Sequence, residues 1–443
     1  MGPDDTERFR TEAHHALSRK PVQGGTSRLP GPHRAGPALH RRPGRERPGL
    51  MTTSAEHPAP GTPGPQEFAA LSPAQREEAV RRTPGSTGWP ETARIAFMLG
   101  RPRTCVPGNL AFALGWTAAG GTVSPAFFLG MFMTLIYGLM ANLYNAYTDL
   151  AEDSRNLPGR VWLVLRIGHR RTVWIGHAIT GLLIALTLPY SGVSLLPLML
   201  LLLAGAHQYS FPPLRLKDGP VVGLFAFSLA VFGPFLLGAA GAPDGPWDLD
   251  GGTWALFGFL VVWFVAKGMV KNLPDFDGDR AAGLRTSATV FPSRRAAARA
   301  ATVMTLIGYL SPAVFVALGL LPPRTLWALV WTVAALVQCR AMSRASTSTE
   351  ANAVLKVDML LSTAFLASVL LLHAPGWASV TGVALGAALL FGSDLLALDS
   401  RRRSDVTATA SPGNTRPEVP PTGARGHSTA PPPDGRPPRP RRR

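Results

Sequence analysis

The sequence predicts an all-α integral membrane protein with about ten transmembrane helices. Three observations predict it. Stretches of roughly 16–24 mostly uncharged residues recur between about residues 105 and 398, close to the ~20 residues with which a helix crosses a bilayer. The Lys and Arg residues between those stretches fall almost wholly on alternate loops. Two short acidic clusters directly follow two of the apolar runs, and carboxylates at the end of a span are costly unless paired or bound to a cation.

Taken in order, Arg101 and Arg103 precede the first two spans, 105–121 and 124–146. The first acidic cluster follows, with Arg155, Arg160, Arg166, Arg170 and Arg171, before the span at 173–190. The next span, 193–209, leads into Arg215 and Lys217. Spans 220–241 and 253–271 lead to the second acidic cluster and to Lys271, Arg280, Arg285, Arg294, Arg295 and Arg299. Arg324 separates 300–321 from 325–341. Arg340, Arg344 and Lys356 precede 357–374, and 377–397 stops before Arg401–Arg403. A single span plus an interfacial helix is the alternative for 357–397. Of the loop cations, Arg324 alone lies on the opposite side. Cytoplasmic loops carry the excess of Lys and Arg, so a multi-pass protein of the cell membrane is expected, with both termini and both acidic clusters facing the cytoplasm. Trp174, Trp254, Trp327 and Trp377 lie near span ends, as an aromatic belt places them.

The 443 residues carry a net charge of +17, most of it outside the membrane core, where residues 101–399 hold twenty Lys/Arg against fourteen acids. Residues 1–50 hold ten Lys/Arg against five acids, and residues 400–443 hold ten against three. These Pro-, Gly- and Arg-rich ends cannot bury a core. The expected organisation is a disordered arm over 1–90, a transmembrane domain over 91–398 and a disordered tail over 399–443. Basic tails of this kind meet anionic membrane lipid, and no nucleic-acid partner is expected. Met51 reads as a second possible start, with residues 1–50 dispensable. Cys105 and Cys339 form neither a disulfide framework nor a metal motif.

The first acidic cluster is Asn145, Asp149 and Asp153; the second is Asp275, Asp277 and Asp279. Positions i, i+4 and i+8 share one face of a helix, so the first three residues line one stripe. Asp275 and Asp279 repeat that spacing. Asp277 points elsewhere on a continuous helix, but Gly278 suggests a break there, and Asp277 stays among the candidate ligands. Carboxylates and a carboxamide offer hard oxygen donors, which suit Mg²⁺. Mg²⁺ is typically held through carboxylates together with substrate phosphates. Lys271, Lys217, Arg215, Arg160, Arg280 and Tyr209 lie close by in sequence as diphosphate contacts. A diphosphate at the membrane surface with its tail in the bundle describes an isoprenyl diphosphate. Ionisation of its allylic C–O bond gives a carbocation that needs a dry pocket with aromatic faces. Tyr144, Tyr147, Tyr209 and Phe211 are the candidates for those faces, with packing between helices as the competing role.

These residues resemble the UbiA superfamily of intramembrane prenyltransferases. The resemblance rests on N-x-x-x-D-x-x-x-D at Asn145–Asp153, on the YS-x-PP-L-R-L-K loop from Tyr209 to Lys217, and on K-x-x-P-D-x-x-G-D-R-x-x-G-x-x-T from Lys271 to Thr286. It covers roughly residues 90–400. It implies a bundle of transmembrane helices around a central cavity, usually nine in the family, so that nine to ten are expected here, with Mg²⁺-diphosphate at the cytoplasmic mouth. It implies Asn145, Asp149, Asp153, Asp275 and Asp279 as metal ligands, and transfer of a prenyl group to a lipophilic, often aromatic, acceptor. The sequence departs from the family at Ala146, where many relatives have a second acid, in its ten spans and in its tails.

Three other readings compete. An intramembrane terpene cyclase would use the same ionisation and quench the cation internally. A transporter would place its acids near the bilayer midplane, whereas these lie at span ends. A soluble class I terpene synthase would not carry ten apolar runs.

Overall fold

The structure, a computed structural model, describes residues 63–243, 249–345, 347–398 and 400. The described residues form helices joined by short turns, without strands. Three short helices open the described residues: α1 (Pro65–Ala70), α2 (Pro73–Arg82) and α3 (Trp89–Gly100). Then come α4 (Pro102–Ala118), α5 (Pro125–Thr148), two short helices α6 (Leu150–Asn156) and α7 (Pro158–Ile167), α8 (His169–Ser191) and α9 (Leu196–Ser210). A 3₁₀ turn at Leu216–Asp218 leads to α10 (Val222–Gly241), α11 (Gly251–Asn272), the short α12 (Phe276–Ala281) and α13 (Arg294–Ala317). A 3₁₀ segment at Pro323–Val330 runs into α14 (Trp331–Arg344), followed by α15 (Ser348–His373) and α16 (Trp377–Leu395).

Local sequence starts these helices. Proline stands in the first turn of α4, α5, α7 and α9, where its missing N–H costs nothing. Ser124 accepts from the Phe127 N–H at 3.2 Å, and Asp250 accepts from the Thr253 N–H at 2.6 Å, satisfying donors that the helix itself leaves open.

All ten predicted spans are helical. Eight helical segments, including Pro323–Arg344 and both segments within 357–397, are long and apolar enough to cross a membrane. The other two are shorter, α4 with 17 residues and α9 with 15. Side chains such as Phe132, Leu201, Val303, Ile307, Val314 and Phe391 are exposed on these helices, as a lipid-facing surface requires. Inward, Trp116, Trp263, Phe112, Phe235, Phe259 and Phe365 are fully buried.

Helices α4 and α10 meet without side chains between them. A Cβ on Gly115 would stand 2.8 Å from the Phe235 carbonyl carbon and closer still to its oxygen. A Cβ on Gly238 would stand 2.9 Å from the Trp116 nitrogen. Small residues at such crossings let backbones approach where lipid supplies no hydrophobic drive for association.

The arm expected over 1–90 overlaps ordered structure. Residues 65–82 form α1 and α2, with Phe68 and Val80 fully buried in an apolar cluster with Leu163 and Val164 of α7. The prolines read as disorder stand at helix starts, and Ser72 with Gln75 forms a capping box. Arg76 ties the pair inward, donating to the Ser154 carbonyl at 2.6 Å and the Phe68 carbonyl at 3.1 Å. Residues 1–62, the Met51 start and the C-terminal tail from 401 lie outside the described residues.

Candidate active site

Two long helices stop at the mouth of one cavity, and each hands its acids to a short helix. Helix α5 ends at Thr148, and Asp149 (φ −92°, ψ 21°) is the joint to α6. Hydrogen bonds from Asp149 N to Asn145 O (2.9 Å) and from Asp153 N to Asp149 O (2.7 Å) carry the i, i+4 spacing through that joint. Asn145, Asp149 and Asp153 therefore keep one stripe, and all three line the cavity. Helix α11 ends at Asn272, and Asp275 caps α12. Asp279 N donates to Asp275 O at 2.9 Å, and both carboxylates face the same cavity.

Gly278 has a different role from the break expected there. Helix α12 runs through it, and a Cβ at 278 would collide with the Asn156 side chain of α6. The missing side chain lets the two acidic segments touch.

The cavity holds about 240 Å³. Along α5 it runs from Asp149 to Thr134, roughly 22 Å at 1.5 Å rise per residue. Its mouth is charged. Asp149 pairs with Lys217, and Arg160 donates to Asp153 Oδ2 at 2.7 Å. Lys271 lies 4.1 Å from the Phe227 ring centre and 3.4 Å from the Tyr209 hydroxyl. Ser210 Oγ donates to Asn145 Oδ1 at 2.7 Å. Glu152 and Asp218 also line the mouth, as does Arg101, whose backbone is left-handed (φ 52°) between α3 and α4. Outside the Lys267–Asp358 pair deeper in the wall, six carboxylates face four cations.

Burial and charged neighbours set the acidities. Burial pushes the Asp279 carboxyl up to about 8, reinforced by Asp275, Glu152 and Asp149. Burial also pushes Asp149 upward, but Lys217, Arg160 and a hydrogen bond from Thr148 together hold it below the usual carboxylate range.

Several predicted contacts lie elsewhere. Asp277 is 72% exposed and pairs with Arg294 at 2.5 Å, away from the cavity, because its i+2 position turns it to the other face of α12. Arg280 donates to the Pro292 carbonyl at 2.8 Å on the outside. Arg215 is turned to Glu152 (2.5 Å) and Asp218 (2.9 Å) and does not line the cavity. Tyr209 lines the wall, whereas Tyr144, Tyr147 and Phe211 pack between helices with His177, His169 and His207. Phe227, Phe264 and Tyr137 also line the cavity. Ala146 is 1% exposed inside an apolar cluster, so the acid it replaces would not face the cavity.

Two lining residues had no place in the sequence reading. Lys267 of α11 and Asp358 of α15 form an ion pair with side chains 3% and 5% exposed. Lys267 is a lone ionisable group inside the 253–271 run and Asp358 opens the 357–374 run two residues after Lys356; an ionisable group within a span marks function in a membrane.

The donor set fits a hard divalent cation. Every candidate ligand at the mouth offers oxygen, and a polyanion can enter among these carboxylates only with positive charge beside it. Among the described residues no three acids, histidines or cysteines close into a ready metal cage. Mg²⁺ does not require one, since waters and phosphate oxygens complete its octahedron.

Helices long and apolar enough to cross a membrane, around a cavity with an acidic mouth, define a polytopic membrane enzyme. The chain belongs to the UbiA prenyltransferase family, whose model matches residues 111–359, and it is a prenyltransferase. It is 28% identical over 233 residues to a lycopene elongase/hydratase of Corynebacterium glutamicum, covering 51% of this chain and 77% of that protein. It is 29% identical over 285 residues to the digeranylgeranylglyceryl phosphate synthase of Methanopyrus kandleri, covering 62% of this chain and all of that protein. A UbiA homolog from Archaeoglobus fulgidus bound to DMAPP and Mg²⁺ superposes with a TM-score of 0.47 at 19% identity, over 67% of this chain and 99% of that one.

Proposed function

We propose that the protein transfers a prenyl group from an isoprenyl diphosphate to a lipophilic acceptor inside the membrane, with Mg²⁺ at the cavity mouth. The observation that carries this reading is the split acidic site placed directly above an apolar, aromatic-walled cavity. The relatives, named a lycopene elongase/hydratase and a digeranylgeranylglyceryl phosphate synthase, support it. Asn145, Asp149, Asp153, Asp275 and Asp279 would hold the metal. When bound, Mg²⁺ neutralises the charge that develops on the leaving diphosphate.

The chain's own residues do the rest. Lys271 and Lys217 offer ammonium groups to the phosphate oxygens. Arg160 keeps Asp153 in place through their 2.7 Å bond. Below the mouth, Tyr209, Phe227 and Phe264 enclose the prenyl chain, exclude water and present ring faces to the allylic cation. Loop cations gathered on one side support a mouth that faces the cytoplasm.

Membranes containing the protein are assayed with geranyl, farnesyl and geranylgeranyl diphosphates. Asp149→Ala and Asp275→Ala should each cut turnover by at least ~10²-fold while the protein remains inserted. EDTA should stop the reaction and Mg²⁺ should restore it. Full activity in either variant would overturn the assignment of the mouth.

A further inference from the structure

Below the mouth, the cavity wall contains a charge pair that diphosphate binding does not use. Lys267 stands four residues before Lys271 on α11, on the same helical face and ~6 Å deeper. Its ammonium group pairs with Asp358 Oδ1 of α15 and lies 4.8 Å from the Tyr309 ring centre. Gln338 of α14 donates to the same Oδ1 at 2.5 Å. Both bonds end on Oδ1; among the described residues no hydrogen bond ends on Oδ2. Asp358 and Lys267 both line the cavity. Farther in, Thr134 lines it too, 2% exposed, with its hydroxyl unpartnered.

Ionisable side chains in a membrane interior are expensive and mark function. Simple bridging between helices would be served as well by apolar packing. The pair's level is informative. If Lys271 touches the diphosphate, the scissile allylic carbon lies just beneath it, about one helical turn in, beside Lys267 and Asp358.

We propose that Asp358, oriented by Lys267 and Gln338, is the proton acceptor of a site for a hydroxyl-bearing lipophilic acceptor, an alcohol or a phenol. The inference rests on the prenyl-transfer reading above. The allylic C–O bond breaks and its electron pair leaves on the diphosphate. A lone pair of the acceptor oxygen forms the new C–O bond to the allylic carbon. The proton of that hydroxyl passes to Asp358 Oδ2. No oxidant or reductant takes part. A purely hydrocarbon acceptor would leave Oδ2 and the Thr134 hydroxyl facing carbon, with nothing to replace their lost hydration. Lys267 and Gln338 are positioning residues, since they act through Asp358.

The test uses the full chain in membranes with geranylgeranyl diphosphate, Mg²⁺ and either 4-octylphenol or 1-O-hexadecylglycerol. Two products are measured: the prenylated acceptor and geranylgeraniol, formed when water takes the cation. Asp358→Asn should lower the ratio of the first to the second by ~10²-fold, the range lost with a general base. Asp358→Glu should recover at least a tenth of the ratio. If Asp358→Asn fails to insert, the charge-neutral pair Lys267→Met with Asp358→Asn takes the same test.

A merely structural pair would lower both products together, and an unchanged ratio overturns the inference. So does a wild-type protein that consumes the donor yet prenylates neither hydroxyl compound. A wild-type protein that consumes no prenyl diphosphate overturns the prenyl-transfer reading itself, and this inference with it.

Discussion

The crossing of α4 and α10 gives the sharpest structural prediction, because both helices wall the cavity. Gly115→Ala puts a methyl group 2.8 Å from the Phe235 carbonyl carbon. The obstacle is backbone, so no side-chain rotation relieves it. Carbon atoms pack at ~3.5–4.0 Å, so the helices must part locally by roughly 1 Å. A gap of that size forfeits up to half of each contact's dispersion energy along the seam, and overpacking of this kind costs ~1–3 kcal/mol. That corresponds to roughly a 5- to 150-fold larger unfolding equilibrium constant. The assay is reversible unfolding in mixed micelles titrated with SDS. Gly258→Ala on α11 is the control, since nothing lies within 4 Å of its Cβ position. Equal stability of the two variants would refute the close-packed seam.

Other substitutions probe the mouth. Lys271→Ala should raise the Michaelis constant for the prenyl diphosphate by about tenfold or more, as loss of a charge-assisted bond costs ~1.5–3 kcal/mol; an unchanged constant removes Lys271 from the diphosphate site. Arg160→Met should destabilise the protein by ~3 kcal/mol, because it removes the guanidinium that offsets the charge of the buried Asp153 carboxylate; the SDS titration reads this directly, and a neutral result would show that the pair bears no weight. Asp277→Asn and Arg280→Ala should each change turnover by less than about threefold, since both side chains point away from the cavity; a large loss in steady-state rate would return them to the site.

The fold was legible because hydropathy is a local property. Each apolar run became a helix, and the acids at i, i+4 kept their shared face even through the joint at Asp149. Spatial neighbourhood was less legible. Arg280 adjoins Asp279 in the chain, yet the helix turns it toward Pro292, and Arg215 is taken up by Glu152 and Asp218. Sequence adjacency at a helix end says little about which side of the helix a long side chain takes. Lys267 and Asp358 lie 91 residues apart, and nothing local pairs them. A search for charges within the predicted spans would have flagged both. The helices at 65–82 were hidden because their prolines begin helices as readily as they break them, and only Phe68, Leu71 and Val80 hint at a buried face.

The contact of Gly278 with Asn156 joins two parts of the chain that more than a hundred residues separate. Short helices α6 and α12 fit like the teeth of two gears, one carrying Asp153 and the other Asp279. A chimera that exchanges residues 125–156 with those of a relative, but keeps its own 251–281, would bring in a tooth cut for another gear. The two segments form one inheritable unit, and a breakpoint between them is safe only where the glycine and its asparagine travel together.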